Sequence, residues 1–406
     1  MTGFLALFFW PLLLGVAALS TSFVKADIWL VIWDWIVADP VEAALWIVSV
    51  YLLWRFFKKY SRLFYAIRQS KKLVALKVIQ PRSDSKIDQE KRTDKDFKEK
   101  MAVMEQLYRA LWEVRSLTIW QTLHFWITRY LVISMEMVLD KGELMFYVVT
   151  QPKFASIVEK QITAFYPDAE VFPEEMPNIW PKGKQLVGYN MVLKRLFMYP
   201  IRFYEQMQDD PLNSIANVLS KLKEDETAAI QMVMTPSFSN KWGQKAKDHA
   251  STMFKGKKDN FLKHVPGLGF IGYFFDMFSS DPSKATAAPG AKQGDAFIRM
   301  IQPEEELYKR MGEKGGMSFY HCSVRILASA GTWQRAIEIT NNMQVAFNSF
   351  KDLYGNFFVN KRMFIDIMPL KWNAPLIYKT WKRRLNGYFN STCLFVEKEL
   401  AGLYHF

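Results

Sequence analysis

The residue types that carry enzyme chemistry occur in this sequence without the spacing that a catalytic site requires. Two Gly-Lys pairs, Gly183–Lys184 and Gly256–Lys257, do not fit the G-x-x-x-x-G-K-[ST] pattern with which a phosphate loop cradles a nucleotide. The sequence also has no C-x-x-C, H-E-x-x-H or G-x-S-x-G, and its 5 histidines are scattered. We therefore predict no catalytic residue, no metal site and no cofactor, and we do not expect an enzyme.

His321 and Arg325 leave one chemical alternative open. They fall on one face of a predicted strand, where they would either contact a phosphate group or be ordinary strand residues, solvated or packed. Cys322 alternates with apolar residues, so we expect a small buried side chain and not a nucleophile. With 2 cysteines in all, the chain lacks a disulfide framework.

Basic residues dominate the charge of the chain. The formal net charge of +13 favours anionic partners, either nucleic acid or an acidic membrane surface. Aromatic residues lie among the lysines near Trp242 and Trp381, which is typical of a surface that contacts nucleic-acid phosphates. The residues expected to contact phosphate or lipid headgroups are Lys58, Lys59, Arg62, Lys245, Lys382, Arg383 and Arg384.

Two apolar stretches near the N-terminus have the lengths of membrane spans. Residues 1–24 carry no charge, and Val41–Phe57 is near the lower length limit for a span. Lys and Arg residues follow the second stretch, so the positive-inside rule places the bulk of the chain in the cytoplasm. We predict a membrane anchor with two transmembrane helices in residues 1–60. A basic juxtamembrane segment and charged linker follow in residues 61–95.

Strand and helix patterns alternate twice between Asp140 and Pro236. Asp210 suits a helix N-cap and Pro211 the first helical position, which marks the helix of the second half. Strand–helix–strand followed by strand–helix–strand is the order of a ferredoxin-like split βαβ fold. We therefore predict a first ferredoxin-like domain in residues 96–236.

The same pattern returns in the C-terminal part of the chain. Residues 237–314 are predicted to form a basic helix and a flexible connector, and a strand and a helix capped by Thr332 follow Gly315. Residues 315–406 are therefore expected to form a second α/β domain. The predicted fold class is α+β: N-terminal transmembrane helices followed by two ferredoxin-like (split βαβ) α/β sandwich domains.

An apolar stripe on the first helix after the linker has two interpretations. Its members are Phe97, Met101, Met104, Tyr108 and Leu111, at alternating spacings of four and three. The stripe would form a coiled-coil seam, and hence a homo-oligomer contact, or it would pack on the following domain. Two heptads are a short coiled coil, so packing is favoured and the homo-oligomer stays an alternative.

The C-terminal segment EKELAGLYHF predicts a short helix with one apolar side. Leu400, Leu403 and Tyr404 share that side. A helix this short needs tertiary contacts for stability. Either it presents these residues to a partner protein, or it packs back on its own domain.

Several stretches resemble an uncharacterised bacterial domain family, best known from candidate-phyla bacteria. They are GELMFYVVTQPKFASIVEKQITAFYPDAEV, YPIRFYEQMQDDPLNSIANVLSKLKEDETAAIQMVM, SVRILASAGTWQRA and EKELAGLYHF, and they cover most of residues 94–406. Members of that family are preceded by a membrane anchor and are found N-terminal to a conjugation-type, type IV secretion-like ATPase. The family motifs are structural, so the resemblance transfers no catalytic residue.

The resemblance implies a scaffold or docking subunit, anchored in the bacterial inner membrane, that recruits a separate P-loop ATPase of a type IV secretion/conjugation-like translocation machine. The alternative is a membrane-tethered protein that binds nucleic acid without sequence preference. DNA and membrane lipid are accordingly the further expected partners.

Overall fold

The computed structural model describes residues 40–80, 94–114, 128, 130–254, 302–362, 369–387 and 392–406. The described helices are α1 (Pro40–Gln69), α2 (Asp94–Glu113), α3 (Pro152–Phe165), α4 (Pro211–Leu219), α5 (Lys241–Phe254), α6 (Gln302–Lys314), α7 (Trp333–Ala346), α8 (Leu370–Lys382) and α9 (Glu397–Leu403). The described strands are β1 (Val74–Ile79), β2 (Ile133–Asp140), β3 (Glu143–Thr150), β4 (Glu170–Pro173), β5 (Gln185–Leu193), β6 (Thr227–Pro236), β7 (Phe319–Ala330), β8 (Phe358–Lys361) and β9 (Cys393–Val396). The chain divides into a unit that ends at Ser61 and a larger unit that begins at Arg62.

The larger unit is built on a single antiparallel sheet. Its strands lie in the order β4-β1-β3-β2-β6-β7-β5-β8, and β9 pairs with the beginning of β7. The central contact joins β6 to β7 from the Thr227–Ser329 pair to the Pro236–Tyr320 pair. These two strands are buried along almost their whole length, and most of their residues are apolar.

The prediction of two ferredoxin-like domains is wrong. β7, from the predicted second domain, lies between β6 and β5, which both come from the predicted first domain. The two strand–helix–strand patterns therefore share one nine-stranded sheet. Pairing between strands far apart in sequence is set by tertiary packing, and local patterns do not report it.

The prediction of N-terminal transmembrane helices is also wrong where the structure tests it. The second predicted span, Val41–Phe57, falls within α1. None of the described helices is long and apolar enough to cross a membrane. The first predicted span, residues 1–24, lies outside the described residues.

Local signals in the sequence did identify individual elements. The Asp210 carboxylate accepts a hydrogen bond from the Leu212 N–H at 2.8 Å, and Pro211 is the first residue of α4. Thr332 caps α7 in the same way, through the Arg335 N–H. The predicted caps are therefore confirmed, because a cap is a contact between neighbours in sequence.

Helices cover both faces of the sheet. α2, α3, α4, α7 and α9 share one core with alternate residues of the strands. α8 packs on the opposite face, where Ala374 and Trp381 contact a second set of strand side chains. Gly188 of β5 permits this close approach, because a Cβ there would lie 3.2 Å from the Ile377 side chain.

The apolar stripe of α2 packs inside its own domain. Met101, Met104, Tyr108 and Leu111 are fully buried in the core beneath the sheet. Packing was the interpretation that the sequence favoured over a coiled-coil seam. Cys322 is buried as expected, and burial raises the pKa of its thiol well above the ordinary value.

Candidate functional site

A row of polar side chains crosses the centre of the sheet on the face that α8 covers. Glu136 of β2, Gln231 of β6 and Arg325 of β7 are neighbours in the strand register, and all three are buried. Gln231 donates from Nε2 to Glu136 Oε1 at 3.0 Å and accepts from Arg325 Nη1 at 2.7 Å. Burial lowers the pKa of the Arg325 guanidinium to about 10, an effect that the Glu136 charge opposes. Arg325 is therefore part of the packed sheet and does not face a phosphate.

Arg384 ties the end of α8 to this row. Its Nε donates to Glu136 Oε1 at 2.9 Å and its Nη2 to Oε2 at 3.2 Å, a bidentate ion pair. The carbonyls of Trp381 and Leu385 accept hydrogen bonds from Gln231 and Arg325. Arg384 adopts a left-handed backbone with φ of +48°, which is uncommon for a residue with a side chain. The turn after α8 is thus held by buried charge and not by apolar packing alone.

A cleft of about 750 Å³ lies beside this turn. Its walls come from the start of β1, the segment after β4, and the last turn of α8. The Tyr378 and Trp381 rings stack there with their centroids 5.9 Å apart, and Trp180 meets Tyr378 edge to face at 5.3 Å. Rings in a concave site suit a flat ligand that stacks.

The predicted phosphate contacts near the C-terminus have different environments. Lys382 is exposed at the rim of the cleft, and Arg383 is half-buried. Arg384 is occupied by Glu136, so its charge is already neutralised. Of the three residues, Lys382 is the one best placed to contact an anion.

The remaining predicted cations lie on two other helices. Lys245 is exposed on α5, with its ammonium 5.3 Å from the Trp242 ring centre. On α1, Lys59 is exposed, whereas Lys58 lies over the Trp54 ring at 4.5 Å and Arg62 is half-buried. Within the larger unit, Lys245 therefore lies on a different helix from Lys382.

The predicted partner-binding residues of the C-terminal helix lie in the core. Leu400, Leu403 and Tyr404 are 0%, 5% and 1% exposed. Tyr108 of α2 donates from its hydroxyl to the Tyr404 carbonyl at 3.0 Å. Of the two interpretations, the structure shows internal packing, so this helix offers no apolar surface to a partner.

The charged residues that begin α9 each form an ion pair within the domain. Glu399 meets Lys314 of α6 at 2.8 Å, and both side chains are fully buried. Burial raises the pKa of the Glu399 carboxyl and lowers the pKa of the Lys314 ammonium, because it disfavours the charged form of each group. The attraction between the two charges opposes both shifts but is the smaller effect. Glu397 meets Arg109 at 3.4 Å, and Lys398 lies between two acidic side chains. α9 is therefore a fixed part of the fold.

His405 joins the last residues to α4. Its Nδ1 lies 3.1 Å from the Ala401 carbonyl and its Nε2 3.2 Å from Asp210 Oδ2. Both neighbours are acceptors, so both bonds form only when the imidazole carries two protons. Burial disfavours the charge of Asp210, but the contact with His405 and the Leu212 N–H together lower the pKa of this carboxyl.

A short loop between α7 and β8 projects apolar residues from a rigid base. This docking loop, Lys351–Phe357, exposes Leu353 by 73% and Tyr354 by 43%. The Asp352 carboxylate accepts from the Tyr354 and Gly355 N–H groups at 3.1 and 3.0 Å and pairs with Arg310. The loop is thus closed on itself by a buried carboxylate.

Asn356 fixes the other end of the docking loop. Its side-chain Nδ2 donates to the carbonyls of Arg195, Leu196 and Tyr199 at 3.0 to 3.2 Å. Its Oδ1 accepts from the Arg195 N–H at 2.9 Å. Lys351, the first residue of the loop, is exposed, as are Lys194 and Arg195 beside the loop. The tip is therefore apolar and its surroundings are basic.

Residues 77–406 match the sequence model of a family described as a domain of unknown function, DUF8128. The chain belongs to the DUF8128 family. No curated protein matches the chain. The match begins within β1 and includes the sheet, α8, the docking loop and the C-terminal helix of the DUF8128 domain.

Sequence reasoning missed several residues that organise the DUF8128 domain. Glu136 is a charged residue in the middle of a mostly apolar strand, and Asn356 stands beside a Gly in a short loop. A charge in a strand buried on both faces is a signal that an internal partner exists, although the partner's identity needs the register. Among the described residues, no group of three or more His, Cys, Asp or Glu is arranged to hold a metal ion.

Proposed function

We propose that this chain is a non-enzymatic docking subunit of a type IV secretion- or conjugation-like translocation machine, and that it recruits a separate P-loop ATPase. The resemblance to domains that stand N-terminal to such ATPases supports the proposal. The observation that carries it is the docking loop, where buried polar groups hold two exposed apolar side chains in a fixed position. Such pre-organisation lowers the cost in conformational entropy of ordering the loop on binding.

The docking loop also indicates the chemistry of its partner. Leu353 and Tyr354 form a small apolar centre, and aromatic side chains with apolar neighbours are common binding hot spots. Lys351, Lys194 and Arg195 form a basic rim, which favours an acidic partner surface. We therefore expect the ATPase to present an apolar pocket surrounded by acidic residues.

Replacing Leu353 by Asp tests this role. Burying a Leu side chain contributes about 1.5–3 kcal/mol, so the affinity for the proposed partner, a type IV secretion-like P-loop ATPase, is expected to fall by about 10- to 100-fold. Titration calorimetry with the purified ATPase and the full chain measures the effect. Ile157→Asp is the matched control, because Ile157 is a 43% exposed residue of α3, outside the docking loop. Equal affinities for the Leu353→Asp variant and the unchanged chain would contradict the proposal.

We further propose that α1 places the chain at the bacterial inner membrane by contact with anionic lipid. Its segment Val41–Tyr60 exposes large apolar and aromatic side chains, and Lys58 and Lys59 lie at its end. Aromatic residues followed by cations suit the headgroup layer of a membrane.

A vesicle flotation assay tests the lipid proposal. The full chain is expected to float with vesicles that contain phosphatidylserine, and less with vesicles of phosphatidylcholine alone. The double variant with Lys58→Gln and Lys59→Gln should bind phosphatidylserine vesicles more weakly by about 2 kcal/mol, because each cation near an anionic surface contributes about 1 kcal/mol. Lys71→Gln with Lys72→Gln, two exposed lysines beyond the end of α1, is the control pair. Flotation that is independent of vesicle charge would refute the role of the two lysines.

A further inference from the structure

The outer side of α8 carries only basic charge. Between Asp366 and Glu397 the chain has no acidic residue. Lys371, Lys379 and Lys382 are exposed, and their spacings of eight and three place them on one side of the helix. The opposite side of α8 is buried against the sheet through Ala374, Ile377 and Trp381. A cationic strip therefore runs along the exposed length of α8.

Aromatic rings accompany this strip. Trp372 is 69% exposed and follows Lys371 in sequence. It lies seven positions before Lys379, so the two side chains share one side of the helix. Tyr378 is half-buried, with its ring stacked on Trp381. Exposed rings beside cations can stack with bases while the cations contact phosphates.

The cleft at the end of α8 continues the strip. Trp381 is 3% exposed, and among the described residues none accepts a hydrogen bond from its buried Nε1. Two of the charged residues that line the cleft are already paired, Glu174 with Lys77 and Arg384 with Glu136. Lys382 and the exposed Glu175 are the other two, so the cleft itself is close to neutral. It suits an uncharged flat group that carries hydrogen-bond acceptors, such as a nucleobase.

We propose that α8 and this cleft bind single-stranded nucleic acid without sequence preference. The phosphates contact Lys371, Lys379 and Lys382, one base stacks on Trp372, and another enters the cleft beside Tyr378. A duplex keeps its bases stacked on each other and leaves the rings without a partner. A lipid surface is disfavoured because the apolar side of α8 is already buried against the sheet. The proposal does not depend on ATPase docking.

Fluorescence anisotropy with a labelled 20-nucleotide oligothymidine tests the site in the full chain. Trp372→Ala is expected to weaken binding by about 5- to 100-fold, the range found for loss of one stacked base. Phe254→Ala is the matched control, because Phe254 is a 52% exposed aromatic residue at the end of α5. Leu353→Asp should also leave oligonucleotide binding unchanged, which separates this site from the docking loop.

The salt dependence reports the phosphate contacts. Lys379→Gln with Lys382→Gln should reduce the slope of log affinity against log salt by about 1.4, at about 0.7 per phosphate contact on a single strand. Lys153→Gln with Lys160→Gln, two exposed lysines of α3, is the matched control pair. Three results would overturn the proposal: equal effects of the α3 and α8 pairs, a preference for duplex DNA, or a loss confined to binding of phosphatidylserine vesicles.

Discussion

Replacing Lys314 by Met is expected to lower the free energy of unfolding by about 3–5 kcal/mol at pH 7. The substitution leaves the fully buried Glu399 carboxylate without its cation. Two N–H groups, those of Ile201 and Val396, still donate to Glu399, but they do not neutralise its charge. Urea unfolding followed by circular dichroism measures the loss.

A second substitution and a pH series identify the unpaired charge as the cause. Glu399→Gln in the Lys314→Met background should recover much of the stability, because the amide oxygen still accepts from the Ile201 N–H. Burial raises the pKa of Glu399 in the folded chain, because it disfavours the ionised carboxylate. Without its cation, the carboxylate therefore destabilises the fold, and protonation removes this cost. The loss caused by Lys314→Met should therefore shrink as the pH falls from 7 towards the ordinary value for Glu, about 4.5.

Lys309→Met is the matched control for this experiment. Lys309 lies on the same helix and pairs with Glu305, but it is exposed, so we expect no measurable change in stability. A loss for Lys314→Met that is the same at both pH values, or unchanged by Glu399→Gln, would contradict the buried ion pair.

Replacing Glu136 by Gln is expected to lower the free energy of unfolding by a similar amount, about 3–5 kcal/mol. The carboxylate is the single anion that the buried row offers to Arg384, and it also accepts from Ser134 at 2.7 Å and from Gln231. Its loss leaves the guanidinium of Arg384 without a counter-charge at the turn after α8. Thermal and urea unfolding of the full chain measure this cost.

A double-mutant cycle separates the ion pair from other effects of the substitution. Arg384→Gln combined with Glu136→Gln should be less destabilising than the sum of the two single substitutions, because the double variant removes both charges of the pair, whereas each single substitution leaves one of them unpaired. Glu175→Gln is the matched control, since that carboxylate lines the same cleft but is exposed. Additive effects of the two substitutions would show that Glu136 and Arg384 do not stabilise the fold as a pair.

Sequence patterns predicted the elements of this fold better than their arrangement. Asp210 and Thr332 mark helix starts because capping is a contact between residues two or three positions apart. The insertion of β7 between β6 and β5 depends instead on pairing across about one hundred residues. A repeated strand–helix–strand pattern is compatible with two small sheets or with one large sheet, and only tertiary packing separates the two.

The candidate sites show the same limit. The basic residues near Trp381 were predicted from composition to contact phosphate. Arg384 instead forms an ion pair with Glu136, a residue almost 250 positions earlier in the chain. Leu400 and Leu403 formed an apolar edge in the sequence, and the helix that covers them, α2, is even farther away in the chain. The docking loop was missed because its exposed residues are ordinary in type. Their rigidity comes from Asp352 and Asn356, whose partners the sequence does not indicate.

Site-specific crosslinking at Leu353 tests the docking role most directly. A photoreactive amino acid placed at this position in the full chain, co-expressed with the proposed partner, a type IV secretion-like P-loop ATPase, is expected to give a covalent adduct with that ATPase after irradiation. The same probe at Ile157 should give none. An adduct at Ile157 with none at Leu353, or no adduct at Leu353 while the two proteins still co-purify, would contradict the account.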